Sequence, residues 1–247
     1  MVKFRLNMSL LDNIKLNEKF WEKYLESYDV LNSVFAYREM LSLVVSEFDS
    51  KEEKGILDIG SGTGNFAVLA KEKGFEVTCV DSSKKGFEIH KRKDDDAKHV
   101  LADVSTGLPF DNNSFKNIVC INTLHFFPQE KREDFIREIF RVLRSDGKFA
   151  LISIVDGYNP LKIYIHHVKQ ITSEHGLLKG LFVLSKIIWP TVKMFYYNLF
   201  LKNTNKSQRF IFEEEQFSLL KKIGFSNISK TKRIFANQAV FNSAFKL

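Results

Sequence analysis

Residues 55–81 read GILDIGSGTGNFAVLAKEKGFEVTCVD: a short apolar run cut off by three closely spaced glycines, a helical stretch, and a second apolar run. Short apolar runs bounded by glycine read as buried strands, while Asn65 to Lys73 has the spacing of a helix. A strand, a glycine turn, a helix and a strand in that order begin a doubly wound α/β sheet.

The alternation continues through HVLAD (His99 to Asp103), NIVCIN (Asn117 to Asn122), a helix from Gln129 to Arg144, and KFALISIV ending at Val155. Five parallel strands are then accounted for. Ser145-Asp146-Gly147 is expected to cap the helix through its glycine. Upstream, Leu11 to Phe48 is helical in pattern and is expected to break near Asn32. Between Tyr158 and Phe212 the alternation stops, giving way to aromatic and apolar helical sequence. Glu213 to Lys222 resumes an amphipathic helix capped by Gly224, and SNISKTKRI with AVFNSAFKL reads as a closing hairpin. The expected organisation is one domain: N-terminal helices over 1–50, a core over 51–157, a helical lid insertion over 158–212, and a C-terminal helix and hairpin over 213–247.

The chain's 247 residues suit one such domain, and 44% hydrophobic with 27% charged residues excludes a disordered chain. Its 24 phenylalanines exceed what a core of this size needs, so some are expected to line an apolar site. A net charge of +7 favours anionic partners, although an excess of lysine also serves solubility. Cys79 and Cys120 each fall inside an apolar strand, which argues for buried free thiols and a reducing compartment. The N-terminal MVKFRLNMSLLDN lacks a continuous apolar stretch and a small-residue cleavage site, so the expected location is cytoplasmic.

Asp58 stands directly before glycines 60, 62 and 64. A glycine turn lets backbone approach a ligand closely, and in the dinucleotide fingerprint the third glycine follows the second by three residues. Here it follows by two, and a carboxylate at the head of the turn would repel a diphosphate while suiting a cation. DIGSGTG resembles the first motif of the class I S-adenosylmethionine-dependent methyltransferases, Asp/Glu-x-Gly-x-Gly-x-Gly. The resemblance implies a Rossmann-like seven-stranded sheet of order 3-2-1-4-5-7-6 with its last strand antiparallel, and S-adenosyl-L-methionine as cofactor.

Further landmarks carry the same resemblance. Asp81, closing CVD, matches the carboxylate that receives the ribose hydroxyls, with Ser82 beside it; a helix N-cap by either residue is the competing reading. Asp103, with Val104, matches the adenine-binding aspartate. GLPFDNNSF and Asn122-Thr123-Leu124-His125 match the stretch before strand four and its loop. Lys116 stands where aspartate is usual, and RSDG replaces a more frequent glycine-rich turn. Within the class, FWEKYLESYDVLNSVFAYREM looks like the segment preceding the core of the ubiquinone and menaquinone biosynthesis C-methyltransferases. Tyr24, Tyr28 or Asp29 would there close over the cofactor, against a reading in which such aromatic residues are core. The cofactor-binding set is therefore Asp58, Gly60, Ser61, Gly62, Gly64, Asp81, Ser82, Asp103, Val104, Asn122 and Tyr28.

Methyl transfer from a sulfonium has a good leaving group, so position, alignment and exclusion of water matter most. A base is needed only for a protonated acceptor. His125 at the mouth of strand four and His166 in the insertion are the candidates, each with a packing or surface role as the alternative. No metal is expected, because the histidines lack Cys or Asp/Glu partners in a ligand pattern. In the insertion Lys179, Lys186 and Lys193 recur every seven residues and form one basic stripe on an apolar body. It reads as a lid on the core, as the lining of an apolar substrate pocket, or as an interfacial helix meeting anionic lipid. The expected acceptor is a small, lipophilic or aromatic molecule such as a quinone precursor. An RNA acceptor is disfavoured by INTLHF in place of Asn/Asp-Pro-Pro-aromatic, and a nicotinamide cofactor by the glycine spacing. A non-catalytic cofactor-binding protein is the remaining class. The sequence leaves oligomeric state open.

Overall fold

A computed structural model describes residues 18–176 and 210–247 and, between them, 185, 188, 189, 192, 193, 196 and 197. The helical reading of Leu11 to Leu16, and Lys179 and Lys186 of the lysine stripe, lie outside the described residues.

The elements run α1 (Glu18–Tyr28), a 3-10 turn (Asp29–Ser33), α2 (Phe35–Val45), β1 (Gly55–Ile59), α3 (Asn65–Glu72), β2 (Glu76–Asp81), α4 (Lys84–Lys91) and β3 (Lys98–Leu101). Then come β4 (Phe115–Ile121), a 3-10 turn (Leu124–Phe126), α5 (Gln129–Val142), β5 (Leu143–Ile154), α6 (Pro160–His175), α7 (Glu213–Ile223), β6 (Lys232–Ile234) and β7 (Ala239–Phe245). The break near Asn32 is the first 3-10 turn. Seven strands form one sheet of order β3-β2-β1-β4-β5-β7-β6. Strands one to five are mutually parallel and β7 runs antiparallel to both its neighbours, as expected of the seven-stranded Rossmann-like sheet.

Period-two alternation sorts the central strands between two apolar layers. Ile56, Val119, Ala150 and Ile152 face the layer with Tyr37, Met40, Val44 and Phe66 of α2 and α3. Leu57, Ile59, Ile118, Cys120, Phe149 and Leu151 face the layer with Phe135, Ile139 and Leu220 of α5 and α7. Asp58 alternates with Leu57 and so falls on the α2 side, a carboxylate in a strand otherwise apolar.

Local expectations are corrected at two places. The glycine cap after α5 is absent: the helix ends at Val142, Leu143 pairs at once with Phe115 in the sheet, and Asp146, at φ 88°, takes the left-handed conformation instead of Gly147. The sheet ladder claims the backbone that a cap would have used. In the closing hairpin SNISKTKRI supplies only a three-residue ladder strand, with Ser226 bridging separately to Phe245. Lys116, the departure from the family pattern, pairs with Glu52 at 2.5 Å and Asp146 at 3.6 Å at the foot of the sheet. Cys79 and Cys120 are buried free thiols, and burial pushes both well up.

Candidate functional site

The glycine turn hangs on β2: the N–H groups of Gly60 and Ser61 both donate to the Val80 carbonyl, at 2.8 and 3.3 Å. Gly60, Gly62 and Gly64 all sit at positive φ (71°, 52° and 73°), a path closed to most L residues. Gly64 has a second reason to be glycine, since a Cβ there would lie 2.2 Å from the His90 ring. His90 is buried and shares a 2.9 Å hydrogen bond with His99. Burial and the neighbouring His99 and Lys93 charges lower its pKa to about 4, so the ring behind the turn is neutral.

Two carboxylates define the electrostatics. Asp58 is 2% exposed, and its Oδ2 has no hydrogen-bond partner. Burial and then the Asp81 charge push its pKa up to about 8. Asp81 accepts from the Gly62 N–H at 2.9 Å and the Ser83 N–H at 2.8 Å. Burial raises its pKa, and those N–H bonds pull it back. Neither Asp81 nor Ser82 caps α4: Ser83 does, its Oγ accepting from the Gly86 N–H at 3.0 Å. Asp81 thus stays at the turn with an accepting position left on each oxygen.

Asn122 follows β4 in the left-handed conformation (φ 53°), anchored by its N–H on the Ile152 carbonyl at 2.9 Å. Its buried Oδ1 has no partner, and neither has Ser61 Oγ. Tyr28, half-buried, raised by burial and pulled back by hydrogen bonds with Tyr37 and Asn122, spans the gap between the N-terminal segment and the strand ends. Asp103 is exposed and closes its own turn through the Ser105 N–H at 2.9 Å, while Val104 packs on the apolar layer beside Leu108. Ser82 is exposed at the end of β2. The structure therefore brings Asp58, the glycine turn, Asp81, Asn122 and Tyr28 together, with Asp103 at the end of the adjacent strand.

The two candidate bases differ. His125 is buried, its ring 4.1 Å from Phe126 and 5.7 Å from Phe210, and its Nδ1 has no partner. Burial, with the Arg132 charge, lowers its pKa to about 3. His166 lies on α6 against α2, 4.0 Å from Glu39 and with its ring 6.3 Å from that of Phe35. Its neighbour His167 is buried and accepts the Phe35 N–H at 3.2 Å, serving the N-terminus of α2.

A polar clasp behind the turn escaped sequence reasoning, apart from Asp29. Thr63 Oγ1 donates to Asp29 Oδ1 at 2.6 Å, and Lys93 Nζ donates to the same oxygen at 3.1 Å. Lys93 also donates to Asn65 Oδ1 at 2.7 Å, which accepts from Asn32 Nδ2 at 2.8 Å. These five residues come from separated parts of the chain, so no spacing signals them. Gly86 was missed too: a Cβ there would lie 2.5 Å from the Gly62 carbonyl, which is how close α4 approaches the turn.

Three buried oxygens without partners, on Asp58, Ser61 and Asn122, beside a second carboxylate, fit a polar ligand that carries positive charge and hydroxyl donors. Sheet order, glycine spacing and carboxylate placement together are similar to those of a class I S-adenosylmethionine-dependent methyltransferase domain. Residues 57–151 match the family model described as a methyltransferase domain. An uncharacterized methyltransferase of Bacillus subtilis is 30% identical over 163 residues, 63% of this chain and 62% of its own length. A demethylmenaquinone methyltransferase of Thermotoga maritima is 28% identical over 174 residues, 66% of this chain and 73% of its own length. Among solved structures, a SAM-dependent methyltransferase of Thermotoga maritima, described as a possible histamine N-methyltransferase, shares the fold. Its TM-score is 0.61 at 20% identity, covering 93% of this chain and 99% of that one. Among the described residues no helix is long and apolar enough to cross a membrane.

Proposed function

We propose that the protein transfers a methyl group from S-adenosylmethionine to a small lipophilic or aromatic acceptor. The observation that carries this reading is the lining beside Asn122. Tyr28, Tyr158 and Phe210 are half-buried rings, His125 is a buried neutral one, and Tyr158 stacks obliquely on Phe210 with centroids 5.6 Å apart. Burial raises Tyr158 well above the ordinary phenol range, so it is uncharged as well. A wall of neutral rings favours an uncharged, largely apolar acceptor. The demethylmenaquinone relative acts, by its name, on such a molecule, which supports a quinone precursor as the acceptor class.

The cofactor supplies an electrophilic methyl group on a sulfonium. Asp58 and the turn would hold its amino-acid end, Asp81 the ribose, and Asp103 with Val104 the base. Tyr28 and Asn122 close the space between, which excludes water and fixes the approach of the acceptor. With a pKa of about 3, His125 takes a proton poorly at neutral pH, so it acts as a shaped neutral wall rather than as the base.

The test is transfer of labelled methyl from S-adenosylmethionine by the full chain, offered quinols, phenols, amines and a structured RNA in parallel. Label in the organic extract, lost in Asp81→Ala, is the expected result. Label in RNA alone, or cofactor binding with no transfer to any acceptor, overturns the reading.

A further inference from the structure

The segment before α2 meets the glycine turn with one face. Leu25, Tyr28, Asp29 and Asn32 stand at i, i+3, i+4 and i+7, the spacing that stacks side chains on one side of a helix. Leu25 is buried, and its methyl groups lie 3.6 and 3.4 Å from where a Cβ on Gly62 or Gly86 would stand, so the two glycines let the segment settle onto the turn. Beyond Leu25 the contacts are polar. Asp29 Oδ1 accepts from Thr63 Oγ1 at 2.6 Å and from Lys93 Nζ at 3.1 Å, and Asn32 Nδ2 donates to Asn65 Oδ1 at 2.8 Å. No residue of the 3-10 turn Asp29–Ser33 is buried, so apolar packing, which has no direction, does not fix its register. Directional hydrogen bonds do. The Asp29 and Lys93 side chains are 33% and 24% exposed, so water and salt screen this pair less than one on an open surface.

Two routes lead from these bonds to Tyr28. One is the chain itself, since Tyr28 directly precedes Asp29. The other runs through Asn65, whose Oδ1 also accepts from Lys93 at 2.7 Å and whose Nδ2 donates to the Tyr37 hydroxyl at 3.5 Å. Tyr37 is in turn hydrogen-bonded to Tyr28, their rings 6.1 Å apart and edge to face. At its other side Tyr28 is hydrogen-bonded to Asn122 and lies within reach of the Asp58 charge. We infer that Asp29 is a positioning residue: anchored to Thr63 and Lys93, it holds Tyr28 in the register at which the phenol covers the cofactor site. Its Oδ1 is engaged by those two donors, so Asp29 acts through Tyr28 rather than by contact with the cofactor. The inference rests on the proposed function only for the identity of the cofactor and is independent of the acceptor.

Two measurements on the full chain test it, and the first needs no cofactor. With fluorotyrosine incorporated throughout, the fluorine resonance of Tyr28, assigned by its loss in Tyr28→Phe, should move in Asp29→Ala. It should move less in Asp29→Asn, because asparagine keeps an oxygen for Thr63 while giving up the charge that holds Lys93. The second is calorimetry with S-adenosylmethionine, in which Asp29→Ala should weaken binding by about tenfold and Asp29→Asn by less. On a Tyr28→Ala background Asp29→Ala should then cost under about twofold, whereas a merely structural role would repeat the full loss there. Asp29→Asn is isosteric and carries both comparisons if Asp29→Ala fails to fold. A Tyr28 resonance unmoved in the Asp29 variants overturns the inference. So does a moved resonance with unaltered affinity, or a loss undiminished on the Tyr28→Ala background. A wild-type chain that binds no S-adenosylmethionine overturns the proposed function alone, because the fluorine measurement still decides whether Asp29 places Tyr28.

Discussion

Replacing Asp58 by asparagine tests whether a proton stands between the free protein and its cofactor. Asp58 is a buried carboxyl with an unpaired Oδ2, held near pKa 8 by burial and Asp81. It is therefore about nine-tenths protonated at pH 7. A cationic ligand favours the ionised form, so apparent affinity scales with the ionised fraction. Between pH 6.0 and 7.5, below the range where an α-amino group loses its charge, that fraction rises about twenty-fivefold. The dissociation constant for S-adenosylmethionine should fall by about that factor. Titration calorimetry in two buffers of different ionisation enthalpy should show close to one proton released per cofactor at pH 7. Asp58→Asn should bind weakly and show no such pH slope. Stability runs the other way: the folded pKa lies above the unfolded value of about 3.9, so between pH 4 and 8 the folded state holds the extra proton. This group's contribution to stability then falls as pH rises through that window, and at pH 8 cofactor-free Asp58→Asn should melt above wild type. The four-unit shift sets a ceiling of about 5 kcal/mol. A dissociation constant flat from pH 6.0 to 7.5, or a slope that survives in Asp58→Asn, refutes the reasoning.

Gly64→Ala forces a side chain onto the His90 ring at positive φ and should cost about 3 kcal/mol or more, lowering the melting temperature by roughly 6 to 12 °C; an unchanged melt would mean that His90 moves freely. Lys93→Met removes two contacts of the polar clasp, leaving Asp29 with Thr63 and Asn65 with Asn32, and should weaken cofactor binding by about two- to tenfold in calorimetry with the fold intact. His125→Asn should lower the rate without changing its pH dependence, because an imidazole at about 3 does not titrate in the working range; an acid limb near pH 6 that vanishes in the variant would reinstate it as the base.

Asp58 and the three glycines were legible because a turn of this kind is local: its backbone path, its small residues and its carboxylate lie within seven positions. The sheet was legible for the same reason, since a period of two or 3.6 within ten residues reports which face is buried, and the order of such segments restricts how a parallel sheet is wound. The helix cap after α5 was misread where that logic stops: a glycine permits a turn, but pairing of Leu143 with Phe115 decided that the chain would enter the sheet without one. Partnership across the fold was likewise hidden. That Thr63 and Lys93 share Asp29, that His90 backs Gly64, and that His125 is sealed among aromatic rings depend on residues tens of positions apart being brought within 3 to 6 Å. Protonation follows from the same packing, because desolvation is a property of everything around a group. The sequence by itself determined the layer order, the kind of cofactor and the basic apolar insertion; only the tertiary structure decided that Asp58 holds its proton and that His125 declines one.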